Sequence, residues 1–314
     1  MRAAAMDEFG PPEVVHVETV PVPDLGDDQV LVQVATAGVG TWDPELVDGS
    51  FQDTEIRFPR VIGSDGAGTI VAVGGSVQRF EVGDHVYGWG FGNPKGGFFA
   101  EYAAVDEENL AAIPETLSFD EAGALAVSGI TALQGLEQLG LEEDDRIMII
   151  GASGGVGHVA VQLAKRLGLK VFAIASQDDG VALVRKLGAD DAAEGHKRAL
   201  AGRLRGFAPD GFDGALVFTG GDGWEEELAL VRRGGIIASP NGVDPAPVAS
   251  RGVEHKVYDG AGSPAAFQRL NELIAQGPFH VELSRTYPLH AAAQALRDVQ
   301  RHHIGKLALA VAAS

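Results

Sequence analysis

A glycine-rich segment, GASGGVGHVAVQLAKRLG at residues 151–168, joins an apolar run to a run with helical spacing. Glycines let the backbone approach a diphosphate closely, and the free N–H groups at the start of a helix face its negative charge. The pattern G-x-G-x-x-G is met with Ala152, Gly154 and Gly157 at its defined positions, and alanine still permits the tight turn. The segment predicts a site for the diphosphate of a dinucleotide, formed by Ala152, Ser153, Gly154, Gly155, Val156 and Gly157.

The end of the following strand bears on which nicotinamide dinucleotide binds. In NAD sites a carboxylate about 20 residues further on binds the ribose 2′-hydroxyl, but here Ser176 stands at this place. An uncharged hydroxyl leaves room for a 2′-phosphate. Asp178 and Asp179 follow at once and would repel it, and Arg185 is the first cation after them. We therefore predict NADP(H) as the cofactor and leave NAD(H) open.

Two later runs, ALVF at 215–218 and IIAS at 236–239, end in residues suited to flank the nicotinamide. Both runs are typical of buried strands. The carboxyl ends of parallel strands line the ligand crevice of an α/β sheet. We predict cofactor contacts from the residues at these two ends, namely Phe218, Thr219, Pro240, Asn241 and Gly242.

To position the predicted cofactor residues, the chain needs strands that alternate with helices. RIMII at 146–150 and VFAIA at 171–175 are further apolar runs typical of strands, and helical spacing follows at 156–167 and 264–276. Such alternation predicts an α/β fold in which helices cover both faces of a parallel sheet.

The first third of the chain has a different residue pattern. Short β-branched runs such as VLVQVA and TIVAVG are separated there by Pro and Gly. This texture predicts a compact, mostly β unit. A helix is predicted from 118 to 139, with Ser118 and Glu121 as a capping box. KLALAV at 306–311 is a predicted strand that could return to the first unit.

Composition excludes several classes of partner. The 314 residues carry a net charge of −20, which disfavours nucleic acid because phosphate backbones bind clustered Lys and Arg. No apolar run approaches the ~18 residues of a membrane span. The chain has no cysteine, so disulfides and thiolate zinc sites are excluded. The opening residues lack the pattern of a signal peptide, so we expect a cytoplasmic protein without nucleic-acid or membrane partners.

Several blocks resemble, in the right order, the zinc-free quinone oxidoreductase branch of the medium-chain dehydrogenase/reductase superfamily. They are residues 59–88, 96–105, 117–136, the glycine-rich segment and 303–311. The resemblance implies a GroES-like β domain at 1–117 and 279–314. It implies an inserted Rossmann domain, a doubly wound parallel sheet, at 118–278. It also implies a homodimer.

The resemblance also bears on metal. Zinc-bearing relatives carry a Cys where this chain has Gly40, and a Gly-His-Glu triplet where it has Gly63, Ser64 and Asp65. The cysteines of their structural zinc lobe are absent. We therefore expect no metal at these positions.

Without a Lewis acid, oxidation of an unactivated alcohol is harder than reduction of a quinone or an α,β-unsaturated carbonyl. We therefore predict hydride transfer from NADPH to such a small-molecule substrate. Thr131 and Tyr87 are the candidate catalytic residues, Thr131 because it matches a family position near the nicotinamide. Trp42, Asp43 and Trp89 are the candidate substrate-cleft residues, although many relatives have Asn where Gly40 stands.

Two other functions remain open at this point. Because no obligatory proton donor is evident, the protein could be an NADPH-binding protein with a sensor or structural role and little turnover. A reductase of enoyl thioesters would need a basic patch beside its cleft, and the positive residues are only scattered.

Overall fold

A computed structural model describes residues 1–50, 57–195, 200–220 and 224–311. Its strands are β1 Arg2–Met6, β2 His16–Thr19, β3 Gln29–Val39, β4 Arg60–Val61, β5 Asp65–Val73, β6 His85–Trp89, β7 Tyr102–Asp106, β8 Leu110–Ala112, β9 Arg146–Ile150, β10 Lys170–Ala175, β11 Asp191–Glu194, β12 Phe212–Val217, β13 Val231–Pro240, β14 Glu254–Tyr258, β15 Leu283–Pro288 and β16 Lys306–Ala310. Its α-helices are α1 Asp43–Asp48, α2 Phe119–Gly123, α3 Ala126–Leu139, α4 Gly157–Arg166, α5 Gln177–Lys186, α6 Leu200–Phe207, α7 Glu225–Leu228, α8 Pro264–Ile274 and α9 Ala292–Asp298.

The chain forms two compact units. The first comprises residues 1–127, 262–271 and 281–314, and the second comprises 128–261 and 272–280. The first unit is thus built from separate stretches of the chain.

The second unit contains a parallel sheet with the strand order β11-β10-β9-β12-β13-β14. This is the order of a doubly wound dinucleotide-binding sheet, with its switch point between β9 and β12. Strand β9 is RIMII, and its last four side chains are buried, because parallel strands are covered on both faces. The predicted α/β fold is confirmed.

The first unit is mostly β, as predicted. One sheet follows the order β15-β16-β3-β5-β6-β8, and β7 also pairs with β3. The predicted C-terminal strand does return to this unit, since β16 pairs antiparallel with β3 and Leu309 lies opposite Ala37. Alternate residues of β3, Val30, Val32 and Val34, are buried in the core.

The predicted continuous helix at 118–139 is wrong in one respect, because the structure contains two helices, α2 and α3, separated at Ala124. A Cβ on Gly123 would lie 2.7 Å from the Thr36 carbonyl oxygen, so α2 ends in close contact with β3. The capping box is confirmed: Glu121 N donates to Ser118 Oγ over 3.3 Å, and Ser118 N donates to Glu121 Oε2 over 3.1 Å. No helix in the described ranges has both the length and the apolarity needed to span a bilayer.

Candidate functional site

The glycine turn lies between β9 and α4, at the carboxyl edge of the parallel sheet. Gly151 leaves the strand with φ of +78°, a conformation that favours glycine. Ala152 is fully buried, and its N–H donates to the Ile174 carbonyl over 2.9 Å. A Cβ on Gly157 would lie 2.1 Å from the Gly151 oxygen. Gly157 is therefore required by the packing of helix on turn, whereas Ala152 packs inward against β10.

Ser153 and Ser176 are brought together. Their hydroxyl oxygens lie 3.1 Å apart, and the Ser176 N–H donates to Ser153 Oγ over 3.2 Å. A Cβ on Gly180 would lie 2.7 Å from Ser153 Oγ, so a glycine in α5 makes room for this contact. The predicted phosphate turn and the predicted ribose position thus form one continuous polar edge.

Arg185 is not brought to Ser176. It follows the first residue of α5 by eight positions, about 12 Å along the helix axis. Its guanidinium donates to the Ala192 carbonyl over 2.9 Å. It borders a cavity of about 220 Å³ lined by Asp178, Val181, Arg185, Ala192, Ala193, Glu194, Leu200 and Arg203.

The residues after β12 lie against the turn. Phe218 N donates to the Ile150 carbonyl over 3.0 Å, and a Cβ on Gly151 would lie 3.2 Å from Thr219 Cγ2. Pro240 ends β13 opposite Tyr258 of β14.

Asn241 and Gly242 continue from Pro240. Asn241 N donates to the Tyr258 carbonyl over 2.8 Å, and Gly242 has φ of +90°. All five predicted strand-end residues therefore follow or end strands at the carboxyl edge of the same sheet.

Thr131 lies buried in α3 of the second unit. Its carbonyl accepts a hydrogen bond of 2.9 Å from the Tyr258 hydroxyl. Burial raises the pKa of Tyr258 above its usual range. Hydrogen bonds thus connect two segments to β14: the turn after β13, and helix α3, which carries Thr131.

Tyr87 and Trp89 lie on β6 of the first unit. The buried Tyr87 hydroxyl donates to Asn271 Oδ1 over 2.7 Å, and burial raises the pKa of Tyr87 above its usual range. Its ring meets that of Phe267 edge to face, with centroids 5.4 Å apart. Trp89 pairs across the sheet with Asp65. The Tyr87 hydroxyl thus has a hydrogen-bond partner, and its ring is packed against Phe267. Its predicted catalytic role stays a prediction.

Asp43 belongs to a buried polar cluster in the first unit. Its Oδ2 accepts from Gly40 N over 2.8 Å, and its Oδ1 accepts from the Ser64 hydroxyl over 2.9 Å. Desolvation by burial raises the pKa of Asp43 to about 7, against the lowering effects of the Gly40 N–H, Lys306 and Ser64. The charge of Asp65 adds to the rise.

Asp65 and Lys306 complete the cluster. Lys306 Nζ lies 3.0 Å from Asp65 Oδ2, with the two side chains 3% and 0% exposed. Asp65 Oδ1 accepts from Val127 N over 2.5 Å. Lys306 Nζ also lies 4.8 Å from the centre of the Trp42 ring. We call Asp43, Ser64, Asp65 and Lys306, together with the half-buried Trp42 beside them, the buried cluster.

The buried cluster does not fit zinc at the positions used by zinc-bearing relatives. Gly40 has no side chain, and a Cβ there would lie 2.3 Å from Cε2 and Cζ2 of Trp42. The indole therefore fills the space of any side chain at residue 40. The Ser64 hydroxyl is bound to Asp43. A zinc site needs deprotonated or neutral N, S or O ligands converging on one point, and these two positions supply none.

Among the described residues of the first unit, one further group brings together the atom types of an ion site. Ligand atoms of Asp7, His16 and Glu18 lie within 4.8 Å of one another at the surface. Exposed acidic groups commonly cluster in this way without an ion, and we assign no site to this group.

Several residues of these sites were missed from the sequence. Gly151 could have been found as a glycine directly after a strand. Gly180 and Lys306 carried no local signal, because each acts through a partner distant in the sequence. Ser64 was identified only as the residue at a zinc-ligand position, and its hydrogen bond to Asp43 was not predicted.

Comparison with known families agrees with this architecture. Residues 26–115 match the family described as "Alcohol dehydrogenase GroES-like domain". Residues 155–243 match the family described as "Zinc-binding dehydrogenase". The first match falls in the β unit, and the second begins in the glycine turn.

Curated relatives include proteins named as reductases and oxidoreductases. A "2-methylene-furan-3-one reductase" of Solanum lycopersicum is 35% identical over 76% of this chain and 61% of its own length. An "NADPH-dependent alkenal/one oxidoreductase, chloroplastic" of Arabidopsis thaliana is 31% identical over 77% of this chain and 63% of its own. This chain thus spans less than two thirds of either protein. The "Quinone oxidoreductase" of Homo sapiens is 30% identical over 75% of this chain and 71% of its own.

Solved structures share the whole fold. A structure described as an NAD-dependent alcohol dehydrogenase is 29% identical with a TM-score of 0.89, and covers 99% of this chain and 100% of its own. The quinone oxidoreductase from Coxiella burnetii is 27% identical with a TM-score of 0.85, and covers 99% of both chains. The chain therefore belongs to the medium-chain dehydrogenase/reductase superfamily, among the relatives of the quinone oxidoreductases.

Proposed function

We propose that this protein is a zinc-independent oxidoreductase that transfers hydride from NADPH to a quinone or an α,β-unsaturated carbonyl. The observation that carries the proposal concerns two positions at which zinc-bearing relatives hold the metal, because neither position offers a zinc ligand in this chain. Gly40 lies beneath the Trp42 ring, and the Ser64 hydroxyl is bound to Asp43. The names of the enone and quinone reductases among the relatives support the same substrate class.

The glycine turn is the proposed cofactor site. Free N–H groups at the start of α4 would hold the diphosphate, and the joined Ser153 and Ser176 hydroxyls would face the adenosine ribose. The uncharged Ser176 and the name of the Arabidopsis relative favour NADPH. Asp178 and Asp179 in the first turn of α5 oppose a 2′-phosphate, so we expect the preference over NADH to be modest.

Bound reduced nicotinamide supplies the hydride, which goes to an electron-poor carbon of the substrate. Negative charge then develops on the substrate oxygen, and donors placed around that oxygen lower the barrier. Placement and orientation account for the rest of the protein's contribution. A polarised double bond needs no metal-lowered pKa, unlike an alcohol.

Turnover of a substrate panel tests the proposal. Protein dialysed against a chelator should consume NADPH with 1,4-benzoquinone or cyclohex-2-enone, and added zinc should not raise the rate. Stoichiometric zinc in the purified protein, or activity on alcohols alone, would contradict the proposal. Cofactor binding without turnover on any quinone, enone or aldehyde would favour the sensor or structural role instead.

A further inference from the structure

A fully buried histidine, His158, lies in the first turn of α4, directly after the glycine turn. Its ring Nδ1 lies 2.9 Å from the Gly154 carbonyl oxygen, and its backbone N–H donates to the same oxygen over 3.1 Å. A carbonyl oxygen can only accept a hydrogen bond, so the ring nitrogen is the donor and carries a proton. One residue thus supplies a donor to each of the two lone pairs of this oxygen.

These two hydrogen bonds fix the peptide group between Gly154 and Gly155. The bond from the backbone of His158 has the spacing of an α-helix, so the Gly154 carbonyl points along α4 toward its C-terminus. In a trans peptide the C=O and N–H bonds point in opposite directions. The Gly155 N–H therefore points out of the N-terminal end of α4, where a helix attracts an anion.

The same peptide group has little intrinsic resistance to rotation, because glycine stands on both sides of it. Turning it over changes ψ of Gly154 and φ of Gly155, and glycine adopts positive and negative φ about equally readily. The turned peptide would aim its carbonyl oxygen at an approaching diphosphate, and like charges repel. The imidazole of His158 opposes this rotation with a second hydrogen bond, in addition to the one that any residue at 158 makes through its backbone.

The N-terminal end of α4 is also open to an anion. Its N-cap residue is Val156, which has no side-chain oxygen, and within the described chain no side chain caps this end. No acidic residue stands in the first turn. Because the first N–H groups of a helix have no acceptor within it, their orientation decides how well the turn binds a diphosphate.

We propose that His158 is a positioning residue for the cofactor: its ring N–H holds the Gly154–Gly155 peptide group so that the Gly155 N–H binds the diphosphate. This inference rests on the proposed function, since it requires a nicotinamide dinucleotide at the turn. His158 acts through the peptide group and exchanges no proton with the cofactor.

Substitutions that differ in reach separate the ring donor from packing. The side-chain nitrogen of asparagine is bonded to Cγ, as Nδ1 of histidine is, whereas that of glutamine lies one bond further out. His158→Asn should therefore keep the NADPH affinity within about twofold of the wild type, whereas His158→Gln and His158→Leu should lower it about tenfold. Calorimetric titration of each variant with NADPH measures the difference.

Phosphorus NMR of bound NADP⁺ gives a readout that a purely structural role would not move. At saturation, His158→Leu should shift the diphosphate signals toward their positions in free NADP⁺ and leave the 2′-phosphate signal where the wild type has it. Gln162→Leu is the matched control, because the buried Gln162 lies one turn further along α4 and donates to the carbonyls of His158 and His280. It should lower the melting temperature but keep the wild-type phosphorus signals.

Nitrogen NMR of the wild-type protein tests the donor even where His158→Leu does not fold. The Nδ1 signal of His158 should be that of a protonated nitrogen, and an unprotonated Nδ1 overturns the inference. Equal NADPH affinities in His158→Asn and His158→Gln also overturn it. Either result leaves the proposed function standing, because the wild type still binds the cofactor. A wild-type protein that binds neither NADPH nor NADH overturns both.

Discussion

The glycine turn and the buried cluster are built in opposite ways. The turn is one contiguous stretch from Gly151 to Gly157 between a strand and a helix, and its contacts are mainly between backbone atoms. The buried cluster joins residues 42–43, 64–65 and 306, which meet only because β16 pairs with β3 and β3 with β5. The turn depends on the absence of side chains at its glycines. The cluster depends on three charged side chains, those of Asp43, Asp65 and Lys306. Substitutions should therefore act on the two regions through different physical effects.

The largest effect should come from Lys306→Met. Removal of the cation leaves the fully buried Asp65 carboxylate without its ion-pair partner, which costs roughly 3–5 kcal/mol of unfolding free energy. Denaturant unfolding measures the loss. The double variant Lys306→Met, Asp65→Asn removes both charges and should recover part of it. A single variant as stable as the wild type would show that the pair is not buried in solution.

The sequence predicted the turn because its signal is local. The spacing of Gly154 and Gly157 after a strand is enough to predict a glycine turn between a strand and a helix. The parallel strands were predicted for the same reason, as continuous apolar runs. The roles of Asp65 and Lys306 could not be predicted, because they depend on strand register between residues 241 positions apart. The end of α2 could not be predicted either, because it depends on the contact of Gly123 with β3.

The pH dependence of stability should reveal Asp43. Its pKa rises from the ordinary 3.8 to about 7 on folding. The folded protein therefore holds a proton that the unfolded chain releases, so this contribution to stability is full below about pH 4 and lost as the pH rises through 7. Asp43→Asn cannot ionise. The unfolding free energy of Asp43→Asn should rise relative to that of the wild type between pH 4 and pH 8, by up to about 4 kcal/mol.

Denaturant unfolding at several pH values measures this difference between Asp43→Asn and the wild type. A difference that stays constant across the window would contradict a raised pKa for Asp43. The comparison also separates the cluster from the turn, since none of the turn residues 151–157 titrates in this range.

Gly157→Ala should break the turn. Its Cβ would meet the Gly151 oxygen at 2.1 Å, and overpacking of this kind costs about 3 kcal/mol. Gly154→Ala is the matched control, because its Cβ would have 3.5 Å to the same atom. We expect Gly154→Ala to fold normally but to bind the cofactor more weakly, since its methyl group would occupy space that we propose for the diphosphate. Thermal unfolding measures the stability of both variants, and titration measures their cofactor affinity. If Gly154→Ala lost more stability than Gly157→Ala, the roles assigned to the two glycines would be wrong.

The smallest effect should come from Ser153→Ala. The substitution removes the hydroxyl that joins the turn to Ser176. Loss of one such hydrogen bond costs about 1 kcal/mol, or roughly a fivefold weaker cofactor affinity. Equal affinities for NADPH in the variant and the wild type would mean that the Ser153–Ser176 contact does not shape the ribose site.

Calorimetric titration of chelator-dialysed protein with NADPH tests the central claim most directly, because it asks whether the turn binds a dinucleotide when no metal is present. We predict one binding site per chain, with NADPH bound more tightly than NADH. No heat of binding with either cofactor, or binding that appears only after zinc is restored, would contradict the account.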